Sequence, residues 1–240
     1  RMVYTAGVLF VILAALGRMR VPTRRDLPIV LSVGVLMMGV YPAMTMIGLI
    51  DVEAGRASIL TFVTPLWVTP AAVLILGERL TSLKIAGLVT GLAGIGILFN
   101  PFGFDWTNPA VVRGNLILLG ASMVWAGVIL HLRVHRYGGD PLDLAPWQLL
   151  LAGLVIAPVA AIMDAGKPVV WSLDLAAMLT YAGPISTFLT IWGVVAVGRA
   201  LPAITTSLGF LTTPVAAMIC GALLLDEPLT WTNLLGLAAI

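Results

Sequence analysis

Long apolar runs alternate with short polar breaks along the whole chain. Residues 2–16 are apolar and are closed by Arg18, Arg20, Arg24 and Arg25; residues 27–50 end at Asp51 and Glu53. Residues 58–76 end at Gly77-Glu78-Arg79, and residues 83–99 are stopped by Asn100-Pro101-Phe102-Gly103. Beyond a polar midpoint, 105–113, further runs occupy 116–130, 147–163, 175–197 and 203–225, with a short last one at 234–240. A helix needs roughly 20 apolar residues to cross a ~30 Å hydrocarbon layer, and these runs have no polar face to offer water. The pattern predicts an all-α polytopic membrane protein. Thr81 is placed to cap the fourth helix through its hydroxyl, and Trp106 in the midpoint loop is placed to anchor the membrane interface.

The pattern also repeats. Residues 58–81, SILTFVTPLWVTPAAVLILGERLT, align without a gap on residues 207–230, SLGFLTTPVAAMICGALLLDEPLT. Ser58 then meets Ser207, Thr64-Pro65 meets Thr213-Pro214, Glu78 meets Glu227 and Thr81 meets Thr230; outside the block, Ala54 meets Ala203 and Gly87-Leu88 meets Gly236-Leu237. Two copies of one helical unit make up the chain, 1–104 and 105–240. If the loop carrying Arg18 to Arg25 is cytoplasmic, that side also collects Arg79, Lys84, Arg133, Arg136 and Arg199, against Arg1, Arg56, Arg113 and Lys167 on the other. This positive-inside bias puts Glu78 and Glu227 on opposite sides, so the repeats are inverted. Inverted repeats carry substrate near the midplane in many transporters.

Composition agrees: 60% of residues are hydrophobic and 10% charged, with a mean hydropathy of +1.07, far too apolar for a soluble domain of this length. The formal charge of +2 and the dispersed Lys and Arg give no nucleic-acid footprint. One cysteine, Cys220, in an apolar run excludes a disulfide framework and a thiolate metal cluster.

Proline in mid-helix, an apolar run into Gly-Glu-Arg-Leu (77–80) or Asp-Glu-Pro-Leu (226–229), and then a Gly-rich helix, all occurring twice, resembles the EamA family of the drug/metabolite transporter superfamily. The resemblance covers essentially the whole chain. It implies ten helices in two inverted five-helix units. Helices 2 to 5 then lie in 1–104 and helices 6 to 10 in 105–240, with helix 1 absent before Arg1 and helix 10 cut short at Ile240. It further implies an inner-membrane, multi-pass exporter of amino acids or other metabolites, and the YddG-type exporters of aromatic amino acids are one group of this kind.

Pro65 and Pro214 each remove a helix hydrogen bond and are candidate hinges; a fixed kink is the alternative. Thr64 and Thr213 beside them can serve the freed carbonyls. Glu78 and Glu227 at the membrane boundary are assigned to helix-end electrostatics near the following N-terminus. Arg56 pairs with Asp51 or Glu53 or attracts an anionic group. Gly87 and Gly91 permit close helix packing, within the chain or in a homodimer; monomer and homodimer are both compatible with the sequence. His131 and His135 share a helix face among Arg133 and Arg136 and read as a basic interfacial cluster, not a metal site.

The candidate substrate-binding residues are Tyr41, Met44, Thr64, Trp67, Trp125, Thr187, Phe188, Trp192 and Thr213. Trp and Tyr normally collect at the interface, so their place inside spans is explained either by packing or by a mostly apolar cavity with a few hydrogen-bonding groups. Every acidic residue lies in a loop or at a span end, whereas proton-coupled carriers keep an ionisable group within the membrane. An uncoupled carrier of small, net-neutral organic solutes is therefore expected, with no cofactor, and with the solute and the bilayer as partners. A nucleotide-sugar or sugar-phosphate exchanger of the same superfamily would need deep cations, and a receptor or assembly factor would show no flux. An enzyme would need a catalytic cluster, and no Ser-His-acid grouping or paired intramembrane carboxylates occur.

Overall fold

The computed structural model describes residues 1–52, 57, 60–61, 63–99, 107–135, 140, 142–166, 169–213, 215–216, 219 and 223. Among them every regular element is helical: α1 Met2–Ala15, α2 Leu27–Gly48, α3 Thr64–Leu76, α4 Ser82–Phe99, α5 Pro109–Val134, α6 Ala145–Met163, α7 Leu173–Ala200 and α8 Ala203–Gly209. Helices α2, α5, α6 and α7 are long and apolar enough to cross a membrane. Side chains such as Leu74, Leu83 and Ile162, each at least 80% exposed, face outward, as hydrocarbon solvent allows. The chain is a polytopic all-α membrane protein. Arg56, Trp106, Arg136, Pro214, Cys220, Glu227 and the run 234–240 lie outside the described residues.

The apolar runs locate the helices, but hydrogen bonding sets their ends and their register. Helix α5 extends well beyond 116–130 because Asn108 Oδ1 accepts the Ala110 amide at its start, and Arg113, Asn115 and Arg133 continue the backbone ladder without breaking it. Two spans are not α-helical throughout. Leu31–Val40 within α2 and Tyr181–Ile185 within α7 are π-helical, a register that hydropathy cannot encode. The run predicted over 58–76 is interrupted at Val63, and α3 restarts at Thr64 with Pro65 in its first turn. Pro65 therefore opens a helix instead of bending the middle of one, the position where its missing N–H costs least. Its counterpart carbonyl, Thr61 O, receives the Thr64 hydroxyl at 3.0 Å. Thr81 caps α4 as expected, accepting the Lys84 amide at 3.3 Å.

By internal contacts the chain divides into two compact units, 1–43 with 131–200 and 44–130 with 201–240. In the first, α6 packs on α1 and on the π segment of α2, and α1 meets the π turn of α7. Gly34 lies so close to α6 that a Cβ there would stand 2.8 Å from Gln148 O and 2.9 Å from Gln148 Cα; the two backbones touch. At the polar end Arg18 donates to Asp140 and Asp143 at 2.8 and 2.7 Å, and the Trp147 indole N–H donates to Arg20 O at 2.9 Å while Phe10 meets the Trp147 ring edge-on at 5.1 Å. Asp26 is buried there; burial opposes its charge, yet the Thr23 amide and hydroxyl and Arg20 outweigh it and hold the carboxyl below its ordinary value. In the second unit α8 packs on α3 and α4. Gly91 of α4 admits Leu211, whose Cδ1 would stand 2.6 Å from a Cβ, so the small-residue stripe of α4 serves packing within this unit.

Candidate functional site

The second unit gathers an aromatic wall. Val68 and Ala72 of α3, Ala126 and Ile129 of α5, and Ala203 and Ile204 of α8 form a buried core, against which Trp67, Trp125 and Phe210 pack while staying partly accessible. On α5 the positions 122, 125, 126 and 129 fall on one face by the helical period, which is why Ser122 and Trp125 share the side of α5 that meets this core. The Trp67 indole N–H donates to Ser122 Oγ at 2.8 Å, and Ser122 Oγ donates to Leu119 O at 2.7 Å. The polar edge of Trp67 is thereby satisfied within the protein, while its ring packs on the core. Trp125 and Phe210 meet edge-to-face at 5.8 Å and 70°, a favoured aromatic geometry. Such faces bind apolar groups and can attract a cation.

Glu78 holds this wall in place. It follows Gly77, which ends α3 in the left-handed conformation at φ 63°. Its carboxylate accepts the Ala203 amide at 2.6 Å and the Ile204 amide at 3.2 Å. The expectation that Glu78 serves the next helix is thus corrected: Thr81 caps that helix, and Glu78 caps α8, more than a hundred residues away. The carboxylate satisfies two otherwise orphaned donors and opposes the positive end of the helix dipole. Phe210 is carried at the far end of α8.

The remaining candidates are distributed as follows. Met44 belongs to the second unit and places its Cε 2.8 Å from where a Cβ on Gly120 would be, so the glycine makes room for the thioether. Thr64 is buried and committed to Thr61 O; Thr213 is exposed. In the first unit Thr187 is buried and donates to Ala182 O at 2.9 Å, serving a carbonyl of the π turn around Pro184. Tyr41 and Phe188 are half-buried, and Trp192 is 48% exposed. The structure therefore joins Trp67 with Trp125 and leaves Trp192 in the other unit. Sequence reasoning missed Ser122 and Phe210; their signal was the helical spacing of Ser122 to Trp125 and an aromatic residue inside the repeated block.

His131, half-buried in α5, places Nδ1 2.8 Å from Ser32 Oγ and stacks on His135 at 5.2 Å. Among the described residues no three His, Cys, Asp or Glu side chains converge as metal ligands would.

The comparisons with known proteins agree with this fold. The model of the EamA-like transporter family matches residues 1–100 and 112–240. An uncharacterized transporter of Archaeoglobus fulgidus is 24% identical over 96% of this chain and 80% of its own length. A probable terminal-alkyne amino-acid exporter of Streptantibioticus cattleyicolor is 27% identical over 93% of this chain and 74% of its own. A solved crystal structure superposes with a TM-score of 0.74 at 21% identity, covering 99% of this chain and 83% of that one.

Proposed function

This chain belongs to the EamA-like transporter family, and from that premise we propose that it exports small, net-neutral organic solutes, neutral or aromatic amino acids above all, across the inner membrane. The observation that carries this reading is the gathering of Trp67, Trp125 and Phe210 on one core, with the Trp67 indole tied to Ser122. It is apolar, aromatic and free of fixed charge, which suits a solute with an apolar side chain and a compensated polar head. The amino-acid exporter named among the relatives supports the same class. Tyr41, Thr187, Phe188, Trp192, Met44, Thr64 and Thr213 remain further candidates on the sequence argument alone.

Transport is uncoupled on this reading. Of the described acidic side chains, Asp26, Asp51, Glu78, Asp140, Asp143 and Asp164 lie outside the four long spans, and Asp174 lies at the very start of α7, in its first turn; proton carriers place such groups within the membrane. The halves 1–104 and 105–240 act as inverted repeats in alternating access, with the break at Val63 to Pro65 as one hinge and Pro214 as its counterpart by repeat.

Purified protein in liposomes tests the reading directly. Labelled phenylalanine should enter down its gradient, unaffected by a proton uncoupler and slowed by Trp67→Ala. Strict dependence on an imposed pH gradient defeats the uncoupled mechanism, and transport confined to phosphorylated sugars defeats the substrate class.

A further inference from the structure

Most buried polar side chains in folded proteins have partners, and the exceptions point to an unassigned task. Among the described residues of the second unit, the Thr69 and Thr206 hydroxyls and both polar atoms of Asn115 are buried without a hydrogen-bond partner. Asn115 is the largest of these anomalies. It is 3% exposed, it lies in the spanning helix α5, and its amide brings two donors and an acceptor with two lone pairs. None of that capacity is used, and the burial destabilises the fold where an apolar residue of similar size would not.

We propose that Asn115 is the residue that recognises the polar head of the transported solute. The inference rests on the functional reading above and deepens it: Nδ2 donates to the carboxylate of a neutral amino acid and Oδ1 accepts from its ammonium group. Placement supports the assignment. Asn115 and Ser122 are seven residues apart, hence within about 20° on α5 and about 10.5 Å along its axis. The amide thus shares one stripe with the hydroxyl that holds Trp67, so a solute aligned on this stripe has its apolar end at the aromatic wall and its head at Asn115.

The cover over this stretch of α5 is side-chain packing closed by one ion pair. Gly114 lies against Gly48 O, Asp51 and Val52, and Leu118 packs with Val52, Ala57 and Leu60. The end is closed by the Arg113–Asp51 ion pair at 2.8 Å, with Arg113 66% and Asp51 10% exposed, so this contact is reached from solvent on the Arg113 side. Opening there frees the amide for a solute.

Asn115→Leu separates recognition from packing. In proteoliposomes its apparent affinity for phenylalanine should fall about 10- to 100-fold, the loss associated with hydrogen bonds to charged groups, while its melting temperature in detergent without solute holds or rises. Asn115→Asp keeps the shape and, when ionised, repels the substrate carboxylate, so selectivity should move from phenylalanine toward phenethylamine. Wild-type affinity in Asn115→Leu together with unchanged selectivity in Asn115→Asp overturns the proposal while leaving the functional reading intact. Absence of neutral amino-acid flux through the unsubstituted protein overturns that reading, and this assignment with it.

Discussion

Replacing Glu78 by alanine should loosen α8 specifically. The carboxylate accepts two amides of the first turn, at 2.6 and 3.2 Å, and nothing in an alanine side chain can take them. Loss of a side-chain cap costs about 0.5–2 kcal/mol, and a favourable charge at a helix N-terminus adds about 0.3–1 kcal/mol. Glu78 is half-buried, so solvent screening trims the electrostatic part, and about 1–2 kcal/mol is expected in all. That corresponds to roughly 5- to 30-fold more frequent local opening. Amide hydrogen exchange in detergent or nanodiscs reads this directly: Ala203 and Ile204 should exchange faster by that factor, and the rest of α8 with them. Glu78→Gln keeps one neutral acceptor and should fall about halfway between. Because α8 carries Phe210 against Trp125, solute affinity should weaken alongside. Unchanged exchange across Ala203–Gly209 in Glu78→Ala would refute the long-range cap as a stabilising contact.

Further outcomes follow from single contacts. Gly34→Val introduces a side chain where even a Cβ meets the Gln148 backbone at 2.8 Å; overpacking of this kind costs about 1–3 kcal/mol, and the variant should show reduced yield of folded protein by size-exclusion chromatography, with Gly7→Ala, in open space, as the tolerated control. Asp26 is held below its ordinary carboxyl value in the folded protein. The unfolded chain therefore takes up that proton at higher pH than the folded one, so the stabilisation is complete above about pH 4 and is lost as pH falls through the lower folded value. Thermal unfolding should show an acid-side loss of stability that Asp26→Asn diminishes, and no pH dependence from this group between pH 6 and 8, where its stabilisation is fully present. Single cysteines at Arg24 and Arg79 should resist an impermeant thiol reagent in intact cells and one at Asn108 should label; labelling of all three from outside would refute the inverted orientation.

Much of this protein was legible in its order of residues. Where helices lie follows from apolar runs bounded by Arg, Asp and Gly-Glu-Arg, because an uninterrupted apolar helix has nowhere stable but hydrocarbon. The Thr81 cap and the service of Thr64 to the carbonyl that Pro65 cannot reach were also legible, because both act within one turn of backbone. What was not legible depends on partners distant in the chain or on backbone register. Hydropathy does not distinguish an α from a π hydrogen-bond ladder, so Leu31–Val40 read as an ordinary helix. The same residue types that cap a neighbouring helix can cap a remote one, and only the packing of α8 on α3 gives Glu78 to Ala203. Of three tryptophans inside spans, nothing local told Trp67 and Trp125, which share a core, from Trp192, which lies in the other unit. Asn115 passed unnoticed for the same reason: a single asparagine in an apolar helix becomes informative only when the fold buries it and supplies no partner.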